Sequence, residues 1–283
     1  MEKIKTYNSD SEILNNHKVN SKVLCVTTFN NKLYNEYAHN FLKTYNFNFD
    51  LIIYSEEQLD INNTFNKNIT IVNSSLAIPE MINFINKNSE RNIIDVENIN
   101  YKGDAIRFCY KVFAVTHAGL LFKKYQYLIW LDADIIFLTP LSLETILKKY
   151  INNNYMMSFL GRKHMHSECG ILFFNMKHPY IIEYFKEMLR MYTSNDIYNL
   201  EEWHDSYVWD HVRIKFEKDY NITNYSIGCY QHKTDIFDYT SLSLYMIHLK
   251  GKLKYIKNIK NIKDITNIKE IRTTIKINKL KKN

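Results

Sequence analysis

Apolar residues along the chain fall into two kinds of stretch. Short continuous runs at Lys22–Thr28 (KVLCVTT), Phe49–Tyr54 (FDLIIY), Ile69–Val72, Tyr127–Leu138, Met156–Leu160 and Gly170–Phe174 read as buried strands. Between them the spacing turns helical. Leu33, Tyr34, Tyr37, Ala38, Phe41 and Leu42 share one face of a segment from Asn31 to Tyr45. A second helix is expected from Asp104 to Ala118, with Gly103-Asp104 before it and Gly119 as its stop, and two more at Tyr180–Tyr192 and Glu202–Phe216. The stretch from Asn73 to Tyr101 shows no clear period and reads as irregular. Strands buried on both faces and alternating with helices predict an α/β fold with a mostly parallel sheet. Ligands of such sheets bind beyond the carboxyl ends of the strands, which is where Thr27, Thr28 and Asp134 would lie.

The apolar run YLIWLDADIIFL is broken by two carboxylates, Asp132 and Asp134. A D-x-D arises by chance about once in a chain of this length, so the pattern alone says little. Its setting says more. Charge inside an apolar strand needs a cation, a row of donors or water, and side chains at i and i+2 of a regular strand leave the same face about 7 Å apart. Both could therefore address one divalent ion carrying a diphosphate. In the preceding helix Asp104, Arg107 and Lys111, at i, i+3 and i+7, form a polar stripe on an otherwise apolar surface, where the two cations could meet phosphate. The competing reading is a solvated face with a salt bridge.

Composition adds constraints. With 283 residues, 46% hydrophobic and 24% charged, the chain has the material for one large α/β domain. No apolar segment approaches the ~18 residues of a membrane span, and the polar start MEKIKTYNSDSEILNNHKVN lacks a signal-peptide core, so a cytoplasmic location is expected. Cys25, Cys109, Cys169 and Cys229 form no C-x-x-C pair and read as reduced thiols. The net charge of +7 is misleading. Residues 250 to 283 hold eleven Lys and one Arg against Asp264 and Glu270, so the tail carries +10 and the body −3. A nucleic-acid-binding body is not expected. The tail, with Ile at every third position from Ile256 to Ile271, is low in complexity and could touch an anionic membrane surface.

Three further blocks set polar chemistry against apolar structure: HSECGILFFN (His166 to Asn175), EWHDSYVWD (Glu202 to Asp210) and IHLKGK (Ile247 to Lys252). In the last, His248 could complete a metal site while a lysine and backbone amides face phosphate. In the second, Asp205 stands at a helix start, where a capping role competes with a chemical one.

Taken in order, TTFN (Thr27 to Asn30), IIYSE (Ile52 to Glu56), DAIRFCYKVFA, YLIWLDAD, SFLGR (Ser158 to Arg162), HSECGILFFN, EEWHDSYVWDHVR and HLKGK resemble a family of metal-dependent glycosyltransferases with the Rossmann-like GT-A fold. The similarity runs from about residue 22 to 252. It divides the chain into a polar N-terminal extension (1–21), a single domain (22–252) and a basic tail (253–283). What the resemblance implies is a nucleotide-diphosphate-sugar donor, with a UDP-sugar the commonest guess, a carbohydrate or other hydroxyl acceptor, and Mn²⁺ or Mg²⁺ as cofactor. By the same analogy Asp134 is the principal metal carboxylate, Asp132 lies near the ribose or a metal-bound water, and His248 is the late metal ligand. Thr27, Thr28, Arg107 and Lys111 would face the donor, and Lys250 or Lys252 the leaving phosphates.

In an inverting enzyme a carboxylate must take the acceptor's proton, with Asp205 the first candidate and Glu168 the second. The alternative is a protein of the same fold that binds nucleotide-sugar or glycan without turnover. Phosphatases that also use D-x-D expect Thr or Val where this chain has Ile136.

Overall fold

The computed structural model describes residues 4–59, 61, 68–91, 101–151, 154–228 and 236–250. Lys252, Cys229 and the basic tail lie outside the described residues. The elements, in chain order, are β1 (Thr6–Tyr7), α1 (Asp10–Asn16), β2 (Val23–Thr28), α2 (Asn31–Leu33), α3 (His39–Thr44), β3 (Asp50–Ser55), β4 (Ile69–Asn73), α4 (Ser74–Ala77), α5 (Pro79–Asn88), α6 (Ala105–Leu121), β5 (Tyr127–Leu131), β6 (Ile135–Phe137), α7 (Leu143–Lys149), β7 (Met157–Arg162), β8 (Met165–Asn175), α8 (Ile181–Thr193), α9 (Asp205–Asp219), β9 (Tyr225–Ser226) and β10 (Met246–His248). Eight strands form one sheet in the order β1-β4-β3-β2-β5-β8-β7-β9. It is mostly parallel; β8 runs antiparallel to both of its neighbours, β5 and β7.

Helices cover both faces, which is why the central strands read as continuous apolar runs. Along β2, Leu24 and Val26 enter the core under α5, α6, α8 and α9, while Val23 and Cys25 enter the opposite core with Phe41, Tyr45 and Phe137. Among the described residues Cys25, Cys109 and Cys169 are buried and free. No described helix is long and apolar enough to cross a membrane.

Five expectations change. Asn73–Tyr101 is not irregular throughout, since α4 and α5 occupy its first half, with Met81 and Phe84 buried. The first residues do not stand apart from the domain: β1 pairs with β4 in parallel, and Ile13 of α1 is fully buried. Gly119 does not stop α6, which runs on to Leu121. A methyl at that position would overlap the Phe185 ring, so this glycine lets α6 approach α8. Between Asn31 and Thr44 the helix passes through a π-helical turn at Tyr34–Ala38 rather than continuing regularly.

The last difference bears on the site. Tyr127–Leu138 is two strands, not one. After Leu131 the chain turns at Asp132–Asp134, with Ile135 N–H donating to Asp132 O at 3.1 Å, and β6 leaves the large sheet to pair antiparallel with β10. That pairing sets His248 opposite Ile135.

Candidate functional site

The turn at Asp132–Asp134 lies past the carboxyl end of β5, in the crevice expected for ligands of a parallel sheet. It is held from two sides. Asp132 N–H donates to Gly170 O on β8 at 2.9 Å, and Leu249 N–H, just after β10, donates to Asp134 O at 3.0 Å. The second bond, with the β6–β10 ladder, brings His248 against the acids: its Nε2 lies 3.0 Å from Asp134 Oδ1 and 3.5 Å from Asp132 Oδ2. One ligand atom from each of Asp132, Asp134 and His248 falls within 4.8 Å of the other two.

Around this cluster lies a charged shell. Asp132 Oδ1 accepts from Trp130 Nε1 at 2.7 Å and pairs with Lys111 Nζ at 3.1 Å. Lys111 also holds Asp205 Oδ2 at 2.7 Å and donates to Cys169 O. On the other side of the imidazole, Glu168 Oε1 lies 3.1 Å from His248 Nδ1, 3.2 Å from Lys250 Nζ, and accepts from Gly170 N–H at 3.0 Å. Gly170 is there for space. A Cβ at this position would overlap the His248 ring and come within 2.8 Å of Glu168 Oε1.

The electrostatics follow from burial and pairing. Asp134, Glu168 and His248 are each at most 4% exposed. Burial works against the Asp132 charge, yet Lys111, His248 and Trp130 outweigh it and hold the carboxyl well below the usual range. Glu168 is likewise lowered, because His248 and Lys250 overcome its desolvation. Burial also resists a charge on His248, but Asp134, Glu168 and Asp132 raise its proton affinity well above that of a free imidazole. Four carboxylates, two ammonium groups and one imidazole thus converge on this point, with Asp134 and His248 buried at its centre.

The cluster opens onto a cavity of about 200 Å³ bordered by Thr28, Glu56, Arg107, Tyr110, Lys111, Trp130, Asp132, Asp134 and Asp205. The site residues read from the sequence therefore divide. Thr28, Arg107, Lys111, Asp132, Asp134 and Asp205 line one cavity, and His248 backs it. Thr27 does not line it: its side chain is fully buried and its Oγ1 has no hydrogen-bond partner among the described residues. Asp104 caps α6 by accepting from Arg107 N–H at 2.9 Å. Lys111 is not a cation waiting for phosphate, since two carboxylates already hold it. Glu168 faces His248 rather than the cavity, a place suited to orienting the imidazole and not to receiving an acceptor's proton.

Trp130, Gly170, Tyr110 and Glu56 escaped the sequence reading as individual contributors. All four sit inside the blocks YLIWLDAD, HSECGILFFN, DAIRFCYKVFA and IIYSE. Their pattern gave no sign of which way each side chain would face.

No protein-family model matches the chain, and no curated protein does. The apo structure of the bifunctional glycosyltransferase WbbM is similar at 13% identity with a TM-score of 0.40, over 68% of this chain and 37% of that one. The chain thus spans little more than a third of that protein's length. Likeness at this level assigns neither a family nor an activity.

Proposed function

We propose that the chain is a glycosyltransferase of the metal-dependent, nucleotide-diphosphate-sugar type. The observation that carries this reading is the meeting of Asp132, Asp134 and His248 at a strand's carboxyl end, beside a cavity lined by Arg107, Glu56 and Asp205. The donor set fits a divalent cation: two carboxylates and one imidazole suit Mn²⁺, and with fewer nitrogen contacts Mg²⁺. Bound there, the ion would supply charge to a diphosphate leaving group.

The chain's own residues supply the rest. Glu168, 3.1 Å from Nδ1, stands behind the ring so that Nε2 points at Asp132 and Asp134. Lys111 and Trp130 hold Asp132 in place, which preorganises the anionic cluster. Arg107, exposed at the cavity, is the cation placed to meet donor phosphate. Asn30 donates to Glu56 at 3.1 Å, and this pair forms a polar edge suited to a nucleotide base. As the anomeric carbon–oxygen bond breaks and the acceptor oxygen bonds to that carbon, the acceptor's proton must leave. Asp205, held in place by Lys111, takes it or orients the hydroxyl.

The test is release of nucleoside diphosphate from a panel of nucleotide-sugars with and without Mn²⁺, in the natural chain and in Asp134→Asn. Metal-dependent release that falls by about 100-fold or more in the variant is expected. Saturable binding with no turnover would make the chain a nucleotide-sugar-binding protein instead. Absence of both would overturn the reading.

A further inference from the structure

A second group of ligand-type side chains includes the residue before Asp205 and plays no part in the proposal above. His166 on β8, and Glu202 and His204 just before α9, each offer a ligand atom within 4.8 Å of the other two. Glu202 is the centre. Its Oε2 stands 2.7 Å from His204 Nε2 and 3.8 Å from His166 Nε2, while its Oε1 is held by Lys102 Nζ at 2.5 Å. An ordinary carboxylate–imidazole hydrogen bond accounts for the first contact. Edge-on packing of the His166 ring against His204 and Tyr207 brings its Nε2 toward the same oxygen, beyond hydrogen-bond range.

Around a tetrahedral ion with ligands at about 2.0–2.2 Å, neighbouring ligand atoms stand ~3.3–3.6 Å apart, between the two separations seen here. Lys102 then acts as the outer partner that orients the carboxylate. His204 and Glu202 are mostly enclosed, whereas the His166 side chain is 39% exposed and borders an open groove with Tyr207, Asp210 and His211. A fourth position facing that groove is reachable from solvent.

We propose that His166, Glu202 and His204 form a second metal site, selective for zinc-class ions over the harder cations suited to the acidic cluster. Two imidazoles and one carboxylate are a nitrogen-rich set of the kind zinc takes. The site's role is positional. It ties β8 to the segment before α9, and Trp203 N–H in that segment donates to Lys102 O at 2.6 Å, next to the start of α6. Loading the site therefore fixes Asp205, the first residue of α9, against Lys111.

Zinc uptake by the tag-free, metal-stripped full chain tests this, with calorimetry for stoichiometry and visible absorbance of Co²⁺ for geometry. In the Asp134→Asn background, which disables the acidic cluster, one Zn²⁺ equivalent should bind and Co²⁺ should give a strong tetrahedral spectrum. Adding His166→Ala and His204→Ala should weaken uptake at least ~100-fold while circular dichroism stays unchanged. Should Asp134→Asn fold poorly, the same pair of histidine changes in the natural chain should lower the zinc count by one. No uptake in the Asp134→Asn chain, or uptake that survives loss of both histidines, would overturn the proposal. These readouts do not depend on turnover of any nucleotide-sugar, so failure of the functional reading leaves them interpretable.

Discussion

His248 owes its position to a residue with no side chain. Gly170 leaves the space that the imidazole fills, and a methyl there would overlap the ring and crowd Glu168. Gly170→Ala is expected to displace the imidazole and weaken Mn²⁺ binding by about 10–100-fold, the range seen when a ligand's support is lost. Titration of Mn²⁺ against the folded variant checks this, and unchanged affinity would mean that the ring does not contribute. Lys111 illustrates the opposite case. Its spacing with Arg107 suggests two equivalent cations, but burial separates them: Arg107 stays exposed, and Lys111 is enclosed between Asp132 and Asp205. Burial disfavours its charge, and the two carboxylates raise its proton affinity all the same.

Among the elements, α6 and α8 meet where Gly119 faces Phe185. Gly119→Ala gains helix propensity yet overpacks this contact, so a net loss of about 1–3 kcal/mol is expected in denaturant unfolding. A stabilised variant would show that the ring can move aside. α8 is tied to α9 by Glu187, which pairs with Arg190 at 2.7 Å on its own helix and with Lys215 at 2.8 Å on the next. Hydrogen bonding to Arg190 outweighs partial burial and, with Lys215, lowers the Glu187 carboxyl to about 2. A pKa lowered by folding contributes stability that is complete above the ordinary Glu value of about 4.3 and fades as pH falls toward the folded value. Glu187→Gln should therefore cost up to about 1 kcal/mol at pH 6, with solvent screening keeping it small. The gap from the natural chain should close progressively below about pH 4. Parallel unfolding curves at pH 6 and pH 3 measure it, and an equal gap at both values would remove the ion network as its cause.

For the whole molecule, a cation that binds Asp132, Asp134 and His248 in the folded chain and not in the unfolded one shifts the unfolding equilibrium. Ligand at 100 times its dissociation constant stabilises by about 2.7 kcal/mol, which for a domain of this size raises Tm by several degrees. Mn²⁺ should do so for the natural chain and not for Asp134→Asn; equal shifts would place the binding elsewhere.

The α/β alternation, both buried faces of the sheet and the anomaly of Asp132 and Asp134 were legible in the sequence, because each is written in local periodicity or in local violation of it. The edge strand Thr6–Tyr7 was not, since two residues carry no period and pair only because β4 offers a free side. Nor was the break at Leu131, where the carboxylates turn the chain out of the sheet and His248 arrives from more than a hundred residues away. Residue type and order thus determined which chemistry was available. Which atoms share a cavity, and which cations are already held by neighbouring acids, was decided only by tertiary packing, because those distances depend on contacts between segments remote in the chain.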